Sequence, residues 1–139
     1  AETGFPGMSL YSASKAALHM FSEALGKETA AFGVTVTAVA PSGFRTQFAG
    51  SSMQFSPTKL ECYNGLRDKL EKRLEASNGA QPNDPEKAAN ALLALADDPD
   101  PPPFYALGAD AAERLAATLT NRVAAYNDSS RLGADTLCE

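Results

Sequence analysis

The sequence predicts an α/β fold with a parallel sheet, of which these 139 residues supply only two strands. The first strand is predicted at residues 34–40, a run rich in β-branched side chains that ends at Pro41. The second is predicted at 104–107, and four helical patterns flank the two runs. Helices that alternate with strands are typical of a parallel sheet. Because two parallel strands cannot bury both faces or satisfy both edges, we expect residues outside this sequence to complete the sheet.

The first helix is predicted to begin at Ser9, a candidate N-cap, and to run to about residue 32, with Gly33 as its stop. Its apolar residues cover more than one stripe. We therefore expect this helix, 9–32, to be buried on two sides, against the sheet and against a neighbouring helix or a second subunit. The other three helices are predicted from Ser56-Pro57 to the break at 77–83, from Asp84-Pro85 to about Asp97, and from Asp110 to about Tyr126.

Composition narrows the possible partners. The chain is 44% hydrophobic and 21% charged, which is usual for a globular protein, and its net charge is −5. Without a cluster of Lys and Arg, nucleic acid is not expected as a partner. No apolar run approaches the length of a membrane span, and no signal peptide is visible. Cys62 and Cys138 are isolated, which favours a reduced, cytoplasmic setting. A single histidine gives little support to a metal site or a Ser-His-Asp triad.

The segment with the clearest chemical signal begins at Tyr11 and includes Lys15. Side chains four residues apart lie one turn apart on the same face of a helix. A neighbouring cation favours the ionised form of a phenol, and a phenol tuned in this way can exchange protons near neutral pH. This spacing therefore predicts an acid–base pair. The plain alternative is a tyrosine and a lysine on a solvated helix face.

Three segments resemble the short-chain dehydrogenase/reductase family. Residues 5–18, which include Phe-Pro-Gly and Tyr-Ser-Ala-Ser-Lys, are similar to the family's active-site helix. Residues 33–46 are similar to its strand and Pro-Gly loop beside the nicotinamide. Residues 84–89 and 104–111 are similar to its closing helix, last strand and terminal helix. A lone Tyr-x-x-x-Lys is a weak signal, but the ordered set is specific and spans nearly the whole chain.

The resemblance implies the C-terminal half of one NAD(P)-binding, Rossmann-like domain with a doubly wound parallel sheet. Residues 1–46 would supply the active-site helix, a strand and the nicotinamide-side loop. Residues 47–83 would form a lid over the substrate, and 84–139 the closing helix, last strand and terminal helix. The family's glycine-rich phosphate loop and active-site serine would precede residue 1, so we expect this chain to be inactive alone.

The resemblance further implies hydride transfer between a carbonyl or alcohol and NAD or NADP, a choice that the sequence leaves open. Tyr11 would exchange the proton, assisted by Lys15, and both would contact the cofactor. Apolar lid residues suggest an apolar small-molecule substrate. Ser42 departs from the family, which normally has glycine at this position. The nicotinamide side of the site would be formed by Pro41, Ser42, Gly43, Phe44 and Thr46.

Two other functions stay open. The chain could be a non-catalytic binding or interaction subunit that docks through helix 9–32. A nucleotide-sugar epimerase or dehydratase is also possible, because these enzymes share Tyr-x-x-x-Lys on a related fold. It is less favoured, because the Pro-Ser-Gly-Phe-Arg-Thr loop and the short C-terminal region resemble the simpler reductases more. If the protein is a reductase, the same helix predicts a homodimer or homotetramer. We expect no nucleic-acid or membrane partner.

Overall fold

The structure is a computed structural model that describes residues 2–129 and residue 133, and Cys138 lies outside them. Within the described residues, two strands and four α-helices follow one another in the predicted order. They are α1 (Ser9–Thr29), β1 (Ala38–Pro41), α2 (Asn64–Ser77), α3 (Pro85–Ala96), β2 (Phe104–Leu107) and α4 (Ala111–Ser129). Short 3₁₀ turns lie at Ala30–Phe32, Gln47–Ala49 and Glu61–Tyr63.

The two strands pair in parallel, as predicted, with Ala38 opposite Phe104 and Pro41 opposite Leu107. The connection between them carries α2 and α3. One further hydrogen bond extends the ladder, because the Ser42 amide donates to the Leu107 carbonyl at 2.9 Å. Since the strands are parallel, the loops that follow them leave from the same edge of the sheet. Ligands bind at this edge in open α/β folds.

The first strand is shorter than the sequence predicts. It begins at Ala38 and not at residue 34. In this register the residues before Phe104 that would pair with 34–37 include three successive prolines, 101–103, which have no N–H to donate. Thr37 instead donates its hydroxyl to the Pro102 carbonyl at 2.7 Å. The β-branched residues of the run 34–40 therefore indicate correctly that a strand forms here, but they do not indicate its length.

Two predicted helix starts are wrong. The first helix has Met8 as its N-cap, with no side-chain capping bond, and Ser9 is already helical. The helix after Ser56-Pro57 begins only at Asn64, because the Ser56 hydroxyl accepts from the Thr58 amide in a local turn (3.3 Å) and caps no helix. Helix α1 does end as expected, with Gly33 in the left-handed conformation (φ 71°) after a 3₁₀ turn.

The start of α3 is confirmed. Asp84 is its N-cap, and the Asp84 carboxylate accepts from the Glu86 amide at 2.9 Å. Pro85 occupies the first helical position, where its missing N–H costs no intrahelical bond.

The chain buries very little of its apolar surface. Among the described residues only Leu107 and Ala111 are buried, where β2 turns into α4. The accessible surface is 10664 Å², whereas a compact monomer of this mass would expose about 6,900 Å². Helix α1 has no buried residue, so the prediction that it is buried on two sides is not met within this chain. A two-stranded sheet offers too little apolar surface to cover four helices.

Candidate active site

Asn83 joins the two loops that leave the carboxyl edge of the sheet. Its side-chain Nδ2 donates to the Ser42 hydroxyl oxygen (2.8 Å) and to the Gly43 carbonyl (2.9 Å). Its Oδ1 accepts from the Ala109 amide at 3.0 Å. We call residues 42–46, 83 and 108–110 the loop junction. Asn83 is not among the site residues predicted from the sequence, although an asparagine in a break between helices is a residue type that hydrogen-bonds to nearby backbone.

The backbone of Asn83 also fixes the direction of the loop after β1. The Asn83 amide donates to the Gly43 carbonyl (3.3 Å), and the Asn83 carbonyl accepts from the Arg45 amide (3.0 Å), which pairs residue 83 in parallel with Phe44. In such a pairing Phe44 contributes neither of its own backbone groups. Its N–H therefore points away from Asn83, to the opposite side of the loop.

Gly108 allows the junction to close. Its φ is +118°, a conformation that a residue with a side chain rarely adopts. A Cβ at this position would lie 2.2 Å from the Ser42 hydroxyl oxygen and 3.2 Å from Asn83 Nδ2. Glycine is therefore required here both by the backbone conformation and by the close approach of Ser42.

Asp110 adds a charge to the junction. The nearby Ser42 hydroxyl, and then the Arg114 guanidinium, hold the pKa of the Asp110 carboxyl below its usual range. Arg114 Nη1 lies 3.2 Å from Asp110 Oδ2. A carboxylate just before the first turn of α4 is also favoured by the helix dipole.

Tyr11 and Lys15 lie together on α1, as their spacing predicts. Lys15 Nζ is 5.6 Å from the centroid of the Tyr11 ring. Both side chains are exposed, Tyr11 to 41%. The helix is locally reinforced here, since the Ser14 hydroxyl donates to the Tyr11 carbonyl at 2.7 Å.

Phe48 connects the Tyr11 ring to the loop after β1. The two ring centroids are 5.9 Å apart with an interplanar angle of 50°. Phe48 belongs to the 3₁₀ turn Gln47–Ala49, whose N-cap is Thr46, and the Thr46 hydroxyl accepts from the Phe48 amide at 3.3 Å. The structure thus gives Thr46 a capping contact that the sequence analysis did not foresee. We call Tyr11, Lys15 and Phe48 the tyrosine face.

The predicted lid packs on the segment that precedes Tyr11. The Arg73 guanidinium of α2 lies 5.4 Å from the centre of the Phe5 ring. A Cβ on Gly7 would lie 3.1 Å from Leu70 Cδ2, so loop and helix are in close contact. A cavity of about 270 Å³ lies beside this contact. Its lining includes Gly7, Phe55, Leu60, Tyr63, Leu66 and Leu70.

Residues 2–129 were searched for a membrane-spanning helix and for a cluster of metal-binding side chains. None of the helices in this part of the chain has the length and apolar content of a bilayer span. The same residues contain no group of three side chains that could hold a metal ion.

Comparison with known proteins identifies the family. The family model described as short chain dehydrogenase matches residues 1–56. The chain is 39% identical over 110 residues to Oxidoreductase BOA17 of Botryotinia fuckeliana, an alignment that covers 79% of this chain and 40% of that protein. It is 31% identical over 97 residues to the uncharacterized oxidoreductase YusZ of Bacillus subtilis, covering 68% of this chain and 34% of that protein.

A solved structure supports the same assignment. A short-chain dehydrogenase from Streptomyces avermitilis superimposes with a TM-score of 0.76 at 33% sequence identity. The match covers 99% of this chain and 49% of that chain. The chain therefore belongs to the short-chain dehydrogenase family and has part of its Rossmann-like α/β fold. It spans half or less of the length of these relatives.

Proposed function

We propose that this chain supplies the proton-transfer side of the active site of an NAD(P)-dependent oxidoreductase that interconverts a carbonyl and an alcohol. The observation that carries the proposal is the contact of Tyr11 with Phe48, because it brings the acid–base pair of α1 beside the loop at the carboxyl edge of the sheet. Family membership and the oxidoreductases among its relatives support the reaction class.

Tyr11 is the proton donor in the direction of reduction. A bound reduced nicotinamide supplies a hydride to the carbonyl carbon, and the Tyr11 hydroxyl gives its proton to the carbonyl oxygen. Oxidation of the alcohol reverses both transfers. The ammonium of Lys15 stabilises the negative charge that develops on the phenol oxygen as the proton leaves.

The loop after β1 fits a nicotinamide in one specific respect. The Phe44 N–H points away from Asn83, so it can donate to a carboxamide oxygen without breaking the pairing with Asn83. The Thr46 hydroxyl uses its oxygen to cap the turn and keeps its proton for a ligand. Both NAD and NADP fit this proposal. The residues that would hold the nicotinamide side are Pro41, Ser42, Gly43, Phe44 and Thr46.

The substrate we propose is an apolar carbonyl or alcohol. The ring of Phe48 is 50% exposed beside Tyr11, and Leu60 and Tyr63 of the lid are also exposed. Such side chains favour a hydrophobic substrate close to the reacting phenol.

We also propose a homodimer or homotetramer of a cytoplasmic enzyme. Several large apolar side chains of α1 are exposed, among them Leu18 at 56% and Phe21 at 61%. An apolar helix face of this kind is typical of an interface.

The proton-donor role is tested by Tyr11→Phe in the protein that contains both this chain and a nucleotide-binding half. Removal of a general acid typically costs 10²- to 10⁴-fold, so we expect kcat on a panel of carbonyls to fall by about a hundredfold or more. Tyr126→Phe is the matched control, because Tyr126 is an exposed tyrosine on α4. Retention of most of the rate in Tyr11→Phe would overturn the role.

A second candidate, an interaction subunit, is favoured by the large exposed surface of the chain. The two functions differ in what the 139-residue chain does alone. If the chain supplies the proton-transfer side of an active site, it should show no turnover by itself and should gain activity when a nucleotide-binding half is added. Turnover by the isolated chain would contradict our proposal, and no activity in any combination would favour the interaction subunit.

A further inference from the structure

Asn83 uses its whole side-chain amide to hold the loop junction. Its two Nδ2 hydrogens have two acceptors, the Ser42 hydroxyl oxygen and the Gly43 carbonyl. Its Oδ1 has one donor, the Ala109 amide. These partners also fix which way the amide faces, since only nitrogen can donate to a carbonyl and only oxygen can accept from an N–H. The side chain is partly buried, so loss of the bonds leaves polar groups poorly solvated.

The contacts of Asn83 all lie on one side of the loop after β1. The Gly43 carbonyl and the Arg45 amide are both paired with residue 83. Phe44, between them, is the residue whose N–H faces the other way. The direction of that N–H is therefore set by how firmly its two neighbours are held.

We propose that Asn83 is a positioning residue for the nicotinamide: it holds residues 42–45 so that the Phe44 N–H is aimed at the cofactor's carboxamide. The identity of the ligand rests on the proposed function. The positioning itself rests on the hydrogen bonds of Asn83, whose partners lie 26 to 41 residues away along the chain.

Ser42 is the partner on which this arrangement depends. Where the family usually has glycine, Ser42 offers a hydroxyl oxygen that accepts from Asn83. Substitutions at Ser42 and Asn83 should consequently be non-additive, because each removes a bond of the other.

The first experiment measures the affinity of the active protein for NADH and NADPH by titration, together with kcat and KM. Loss of about 1.4 kcal/mol corresponds to a tenfold change. Asn83→Ala should weaken binding of the preferred cofactor by about tenfold with a smaller change in kcat. Asn83→Asp should bind the cofactor at least as weakly as Asn83→Ala does. It keeps the acceptor for the Ala109 amide, but it replaces the Nδ2 donor with an oxygen that faces the Gly43 carbonyl. Ser42→Ala should have a smaller effect.

Asn90→Ala serves as the matched control, since Asn90 is exposed on α3, away from the junction. It should leave cofactor affinity unchanged. A thermal melt of each variant shows whether it is folded. A folded Asn83→Ala variant with unchanged cofactor affinity would overturn the proposal.

The second experiment measures amide hydrogen exchange and needs no activity. The Ala109 amide loses its acceptor in Asn83→Ala, so it should exchange faster, and the Arg45 amide should follow as the loop loosens. Faster exchange with unchanged affinity would show a structural role only and would overturn the positioning role. If the unmodified protein binds neither NADH nor NADPH, the proposed function fails, whereas the exchange rates still report whether Asn83 holds the loop.

Discussion

The loop junction and the tyrosine face meet where Thr46 caps the turn that carries Phe48, but they are held in different ways. In the junction, Asn83 alone makes five hydrogen bonds between 2.8 and 3.3 Å, three from its side chain and two from its backbone. On the tyrosine face, Tyr11 has ring contacts at 5.6 and 5.9 Å and remains 41% exposed. The shape of the junction is thus set by this chain, whereas the tyrosine face is open to whatever covers it.

This difference separates the effects expected from substitutions. Changes in the junction should alter the free energy of unfolding and the binding of cofactor, because they break contacts between distant parts of the chain. Changes on the tyrosine face should alter turnover and substrate KM with little effect on stability.

The largest effect on stability is expected from Gly108→Ala. The new Cβ would meet the Ser42 hydroxyl oxygen at 2.2 Å, and φ at +118° is unfavourable for alanine. Strain of this kind costs about 1–3 kcal/mol. Urea unfolding should show a loss in that range, partly recovered by adding Ser42→Gly, which removes the clash but not the backbone strain.

Gly4→Ala is the control for this substitution, because a Cβ there meets nothing within 4 Å and Gly4 has no positive φ. It should leave the unfolding free energy nearly unchanged. A Gly108→Ala protein as stable as the control would show that the junction is far more adaptable than its contacts indicate.

On the tyrosine face, Phe48→Ala should raise the KM for an apolar carbonyl. The exposed half of the Phe48 ring would pack on the substrate, and half of the about 1.5–3 kcal/mol gained by full burial of such a side chain corresponds to a change of roughly three- to twelvefold. The melting temperature should hardly change, since the Phe48 ring is half exposed. Phe32→Ala is the control, because Phe32 is an exposed phenylalanine in the 3₁₀ turn that follows α1. Equal KM values for the two variants would remove Phe48 from the site.

Thr46 belongs to the loop junction, but it caps the turn that carries Phe48, so Thr46→Ala should raise the substrate KM as Phe48→Ala does, only more weakly. It removes the cap on the turn Gln47–Ala49, and a lost cap typically costs about 1 kcal/mol of local stability. Thr46→Ser keeps the capping oxygen and should keep the KM of the parent protein. If both variants raised KM equally, the methyl group of Thr46 and not its oxygen would be responsible.

Features that depend on neighbouring residues were predictable from the sequence. Asp84 and Pro85 start α3 as expected, because a capping carboxylate and an N1 proline act within one turn of the helix. The Tyr11–Lys15 proximity follows equally from helical spacing. The helix start predicted at Ser56-Pro57 was wrong for an equally local reason. A serine hydroxyl can also accept a hydrogen bond within a turn, as that of Ser56 does from the Thr58 amide.

Features that depend on distant residues were not predictable. The length of β1 is limited by prolines 101–103, which the β-branched run could not reveal. The role of Asn83 requires Ser42 and Ala109 to meet it in space. For Gly108, the need for glycine appears only when Ser42 is placed beside it. The junction, which fixes the proposed cofactor loop, was therefore the part of the site least visible in the sequence.

The smallest effect is expected from Asp110→Asn, and it should appear as a change in pH dependence. Because the pKa of Asp110 is lowered in the folded protein, its ionised form stabilises the fold above the ordinary pKa of an aspartate, about 3.9. That contribution is lost as the pH falls through the folded value. The melting temperature of the parent protein should thus exceed that of Asp110→Asn at pH 7, with a difference that shrinks below about pH 4. Ser42→Ala should reduce this pH dependence more than Arg114→Ala does, because the Ser42 hydroxyl is the larger cause of the lowered pKa. The opposite order would mean that Asp110 reports on the surface ion pair with Arg114 and not on the junction.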